Sequence, residues 1–211
     1  MINLLKSLTV AIMTMVPVIA WIQELNRHVL NRHLFCHEKT CTLGVKRKRR
    51  PPTEDTVVDS CESNRPEVMF SAIDYIVRYH NAKPDEEITL LMASVAYLVA
   101  FKFHVDHRDL KLWQFTRMCS EKVHVTRENM EAAEATLLCG IQYELARKTV
   151  FDELQERMHE RFHPPVTRCE MDNAVNAILC SFMTDETMIQ QRSDDLKNVV
   201  TVVVFNLKQM R

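Results

Sequence analysis

The sequence predicts an all-α protein, and three observations carry that prediction. Glycine is scarce: Gly44 and Gly140 are the only two in 211 residues, where average usage would place about fifteen. Hairpin turns lean on glycine for positive φ, so a β-rich fold is disfavoured. Composition points the same way, since 46% hydrophobic and 26% charged residues with twelve methionines suit a soluble, helix-rich globular chain. Apolar residues also recur at helical spacing in one segment after another. The length suits one full domain, or one domain with a partial second.

The elements follow in chain order. Residues Ser7 to Ala20 are nearly all apolar and read as a buried first helix. Lys6 ahead of them and Val18-Ile19-Ala20 behind also have the outline of a secretory signal peptide. Against secretion stand a single leading lysine, the interruption at Pro17 and the lack of any N-x-[ST] acceptor. The run is shorter than the roughly 17–25 residues of a membrane span. Residues 38–65 hold a basic run, two prolines and Glu54-Asp55 without periodicity, and read as a disordered insertion.

Pro66 suits a first helical position, and Val68, Met69, Ala72, Ile73, Ile76 and Val77 keep helical spacing to about His80. A second start is expected at Pro84-Asp85-Glu86-Glu87, where carboxylates would favour the positive end of a helix. Ile88 to Phe103 is apolar on almost every face, as in a central helix surrounded by protein. Leu110, Trp113, Phe115 and Met118 mark an amphipathic segment. The next starts at Thr126, a plausible N-cap, and carries Met130, Ala133, Leu137, Leu138 and Ile141. Thr149 with Asp152 resembles a capping box for a charged helix ending at His163-Pro164-Pro165. Two further helices are expected near 167–182 and 194–209. The β-branched run Val199 to Phe205 also permits a strand, although the helical context favours a buried helix.

Composition narrows function. With only these two glycines, neither a dinucleotide fingerprint nor a phosphate-binding loop can be written. Charge is 27 against 28, or −1, so the chain as a whole lacks the basic footprint of sequence-specific nucleic-acid binding. Seven cysteines without framework spacing indicate free thiols in a reducing compartment. His33, Cys36, His37 and Cys41, with Cys61 nearby, offer zinc-type ligands but not the two separated pairs that a zinc site uses. No metal or other cofactor is expected. No nucleophile elbow or H-E-x-x-H occurs, and the chain is read as non-enzymatic. Lys46, Arg47, Lys48, Arg49 and Arg50 fit a nuclear-import signal or a local nucleic-acid contact, with a processing site or a solvated charge run as the plain alternatives. The chain's neutrality elsewhere favours import, hence a nuclear protein.

Lys102 and Glu134 stand out, because each falls on an otherwise apolar helical face. Such charges are almost never buried unless paired. They form a partly buried pair or a partner-facing site, or else both reach out to solvent along their aliphatic stems.

Several segments resemble the cyclin box in order and spacing. Glu67 to Tyr79 is similar to its second helix, Leu90 to Phe103 to its third, Val125 to Leu145 to its fifth, and Thr149-Val-Phe-Asp-Glu-Leu to the segment that follows. The resemblance covers roughly 66–154 well and 14–25 more weakly. It implies a five-helix cyclin-box bundle followed by a partial second helical repeat. The corresponding divisions are 1–37 as the first helical segment, 38–65 as the insertion, 66–163 as the rest of the box with its linker helix, and 164–211 as a truncated second cyclin-like fold. In this family a lysine ending the third helix pairs with a glutamate of the fifth and faces a cyclin-dependent kinase. The matching residues are Lys102 and Glu134, with Phe103 and Leu138 as apolar kinase contacts and Trp21, Leu91 and Arg78 as structural positions.

The departures are specific. Met15 stands where the first helix would carry the arginine of a substrate-docking patch, so the resemblance does not bring that patch across. Val77 replaces the aspartate ahead of Arg78, and His104-Val105 replaces an acidic pair. The resemblance therefore implies a regulatory subunit that binds a cyclin-dependent kinase and activates or targets it, in a specialised cell-cycle or meiotic role. A nuclear helical adaptor that binds other nuclear proteins without a kinase is the alternative, and no membrane partner is expected.

Overall fold

The computed structural model describes residues 15–29, 65–105, 112–120, 122–123, 125–162, 166–184 and 193–210. Among them are eight helices and no strand: α1 (15–29), α2 (Pro66–Ala82), α3 (Leu90–His104), α4 (Leu112–Cys119), α5 (Arg127–Gly140), α6 (Val150–Arg161), α7 (Arg168–Thr184) and α8 (Ser193–Met210). The insertion up to residue 64, the zinc-type ligands and the basic run at 46–50 lie outside the described residues.

α3 is the organising element. Ala93 to Phe101 are all buried, so protein covers every face of this stretch. α2 and α5 pack along it, and Tyr97 stacks on Phe115 of α4, with ring centres 6.3 Å apart. Two polar groups on α3 are matched by α1. Trp21 Nε1 donates to Ser94 Oγ at 2.8 Å, and the Tyr97 hydroxyl donates to Asn26 Oδ1 at 3.0 Å. Both bonds are buried, and an unmatched member would carry a desolvation cost of about 1–3 kcal/mol. They set the position of α1 against α3. Burial also pushes the Tyr97 hydroxyl's pKa well above the usual range.

The later helices join the same core. Phe70 of α2 stacks on Phe151 of α6 at 6.1 Å and meets Phe182 of α7 edge-on at 6.2 Å. α8 packs on α6 and α7, and Arg157 of α6 donates to Thr201 Oγ1 at 2.7 Å. The β-branched run of α8 is helical. Val200, Val203, Val204 and Leu207 are buried while Val202 and Phe205 are exposed, which is the period of a helix and not the alternation of a strand.

Threonine sets four helix starts. Thr126 and Thr149 each form reciprocal capping boxes, with Asn129 and Asp152. Thr167 does the same with Glu170. The start of α3 differs from expectation. Thr89 caps it by accepting from Met92 N at 3.2 Å, and no acid lies in the first turn. The acids at 85–87 precede the helix instead, and Glu86 accepts from Tyr79 Oη and Lys83 Nζ. A local side-chain cap satisfies an orphan amide directly, which outweighs the weaker dipole preference at a solvated turn.

Gly140 is explained by packing. A Cβ at this position would lie 2.5 Å from Tyr79 Cδ2 of α2, and that ring is buried. The glycine thus lets α5 approach α2, against the core and not on an exposed face. The helix then ends in a Schellman-type turn, with Tyr143 N bonded to Leu138 O and Gln142 N to Cys139 O. Gln142 and Tyr143 have φ of 56° and 58°. Glycine usually fills the first of these positions, but here it is used two residues earlier.

Two substitutions separate these roles by sign. Gly140→Ala would gain helix propensity of about 1 kcal/mol at an open site, yet here overpacking should make the net effect a loss of about 1–3 kcal/mol in urea denaturation. Gln142→Gly should stabilise by about 1 kcal/mol in the same assay, because it relieves a left-handed side-chain conformation.

Candidate functional site: a face across α3 and α5

Lys102 lies in the last turn of α3, where a cation is favoured by the negative helix end. Glu134 lies mid-way along α5, whose Met130 and Leu137 turn into the core, as does Ile141 at its C-cap. Packing of α3 on α5 brings the two charges together, and Lys102 Nζ donates to both Glu134 carboxylate oxygens at 2.8 Å. The two side chains keep 38% and 27% of their surface exposed. They neither separate into solvent nor sink into the core. A pair this wet contributes only about 0.2–1 kcal/mol to folding.

Apolar surface flanks the pair. Phe103 follows Lys102 and is 46% exposed. Leu138 lies one turn after Glu134 and is half-buried against the core, as is Leu91 at the other end of α3. The arrangement is a fixed, two-pronged ion pair beside an aromatic ring that is nearly half exposed. Apolar anchors around a charge pair that can be desolvated form a credible interface core.

Sequence reasoning missed Tyr143. Its ring is 64% exposed just beyond the C-terminus of α5, and its hydroxyl lies 3.5 Å from Cys139 Sγ. No periodicity could reveal it, because it occupies the left-handed turn that closes the helix.

The remaining positions are structural. Trp21 is buried, with Lys122 Nζ 5.1 Å from its ring centre and paired with Glu24. Arg78 obtains its acid one turn back: its Nε meets Asp74 Oδ2 at 2.8 Å, and its other arm meets Glu144 at 3.4 Å. Together with the Tyr75 hydroxyl, which donates to Leu145 O at 3.1 Å, Arg78 holds the α5–α6 connection against α2. Burial raises the pKa of the Asp74 carboxyl, with Arg78 opposing the rise, and pushes that of the Tyr75 hydroxyl up to about 12. Met15 is buried.

The Cys119 thiol is buried and pushed up to about 11, which keeps it protonated and inert. No group of three or more metal-ligating side chains occurs among the described residues. No described helix is long and apolar enough to cross a membrane. Comparison with protein-family models, curated proteins and solved structures finds no match to this chain.

The wetness of the pair gives a direct expectation. Removing both charges, with Lys102→Met and Glu134→Gln, should change folding stability by less than about 1 kcal/mol in urea denaturation. A loss of several kcal/mol would instead make the pair a folding element.

Proposed function

We propose that this chain is a cyclin-like regulatory subunit that docks on a cyclin-dependent kinase through the α3–α5 face, in a specialised cell-cycle or meiotic role. The observation that carries the reading is the Lys102–Glu134 pair, held across two helices beside the exposed Phe103. Its small worth to folding leaves recognition as the better reason for its geometry. An all-helical bundle built around one fully covered helix supports the same reading, as does the order of segments that resembles the cyclin box. The subunit is non-catalytic on this reading. It positions the kinase's regulatory helix and biases the kinase toward its active arrangement. The basic run at 46–50 brings the chain to the nucleus.

A second reading keeps the helical bundle as a nuclear adaptor without a kinase. Two features favour it: Met15 is buried where a docking arginine would be exposed, and His104-Val105 replaces an acidic pair.

Purification of the full chain from cells, followed by identification of bound proteins, separates the two. A cyclin-dependent kinase should co-purify with the wild-type chain and be lost with Lys102→Glu or Glu134→Lys, each of which should remain folded. Partners that include no kinase, or that are unchanged by both substitutions, would end the kinase reading.

A further inference from the structure

His104 closes α3 and is the residue next to Phe103. Its Nε2 lies 2.8 Å from Ser71 Oγ of α2, so α2 holds the imidazole in place. The Phe103 and His104 rings meet edge to face, with centres 5.0 Å apart and planes at 87°. The ring on the proposed docking face therefore rests on a histidine that is itself anchored to a second helix. Phe103 has no other ring contact among the described residues, and nearly half of it is open.

We propose that His104 is a positioning residue of the docking face, and that a partner seated on Phe103 requires His104 to be neutral. This inference rests on the kinase-docking reading above. The physical cause is desolvation. His104 is an exposed residue, anchored on one side by Ser71, and a partner covering Phe103 must cover much of its open surface. Burial disfavours the charged form of a histidine.

In the free chain partial desolvation of the imidazole already holds the His104 pKa below the usual histidine range. The carboxylates that face it, Glu67 of α2 and Asp152 of α6, oppose this shift. Asp152 is committed to the Thr149 cap, and Glu67 lies in the first turn of α2, where the positive helix end favours its charge. Docking adds desolvation without adding a carboxylate from this chain. The bound-state pKa is then lower than the free one. Affinity is level above the free pKa and falls as pH drops through it, by up to about tenfold per pH unit, until the bound pKa is reached.

Two measurements test this. In the free chain, NMR should show His104 titrating below the ordinary histidine value, with the Phe103 ring protons moving at the same midpoint. A Phe103 ring that ignores the titration overturns the proposal. Binding of the co-purified kinase is then measured from pH 5.5 to 8 for the wild type and for His104→Gln, which can still bond to Ser71 but cannot titrate. The wild type should lose affinity in acid while His104→Gln stays level or loses clearly less. If binding depends on Lys102 and Glu134 but the two chains share one pH profile, the role of His104 is refuted and the docking reading stands. If no kinase binds the wild type at any pH, both fall.

Discussion

The burial of α3 is the constraint on which the rest depends. A helix with apolar residues on every side cannot face water, so other helices must surround it. In this chain α1, α2, α4 and α5 contribute to that cover. The two polar groups within the buried stretch, Ser94 and Tyr97, convert a greasy contact into a specific one. The Trp21 indole N–H of α1 finds its acceptor in Ser94 Oγ, which itself donates to Leu90 O, and the Tyr97 hydroxyl finds its acceptor in Asn26 of α1. A helix could slide along an apolar neighbour at little cost, but not past two buried bonds.

The candidate site is a by-product of where that burial stops. α3 leaves the core after Phe101, and the next three residues are Lys102, Phe103 and His104. Each meets something different. Lys102 reaches Glu134 of α5, Phe103 faces solvent, and His104 meets Ser71 of α2. Three consecutive side chains are thus set by two neighbouring helices and open space, which gives a small region a defined shape and charge. The same close packing explains Gly140, where α5 comes near enough to Tyr79 that a methyl group has no room.

Much of the fold was legible in the sequence, for identifiable reasons. Pro66, Thr126 and the Thr149–Asp152 box act within a few residues of chain, so local pattern sufficed to place α2, α5 and α6. The start of α3 was misplaced because a cluster of acids resembles a helix start, whereas Thr89, a lone side chain with no acid after it, makes the actual cap. The helical state of the Val199–Phe205 run was ambiguous by propensity and is settled by burial at a period of 3.6.

What the sequence determined by itself was helical class, the third helix apolar on almost every face and the oddity of two charges on apolar faces, because all three are written in spacing along one chain. What only the tertiary structure decided was distance. Lys102 and Glu134 are 32 residues apart, and no periodicity states whether two such groups meet or part. The same holds for His104 and Ser71, and for Arg78 with Glu144. Tyr143 is exposed because a left-handed turn closes α5 beside it. Pairings of this kind depend on how helices cross, and crossing is set by the shapes of buried side chains such as Tyr79 and Phe70, not by the local pattern that forms each helix.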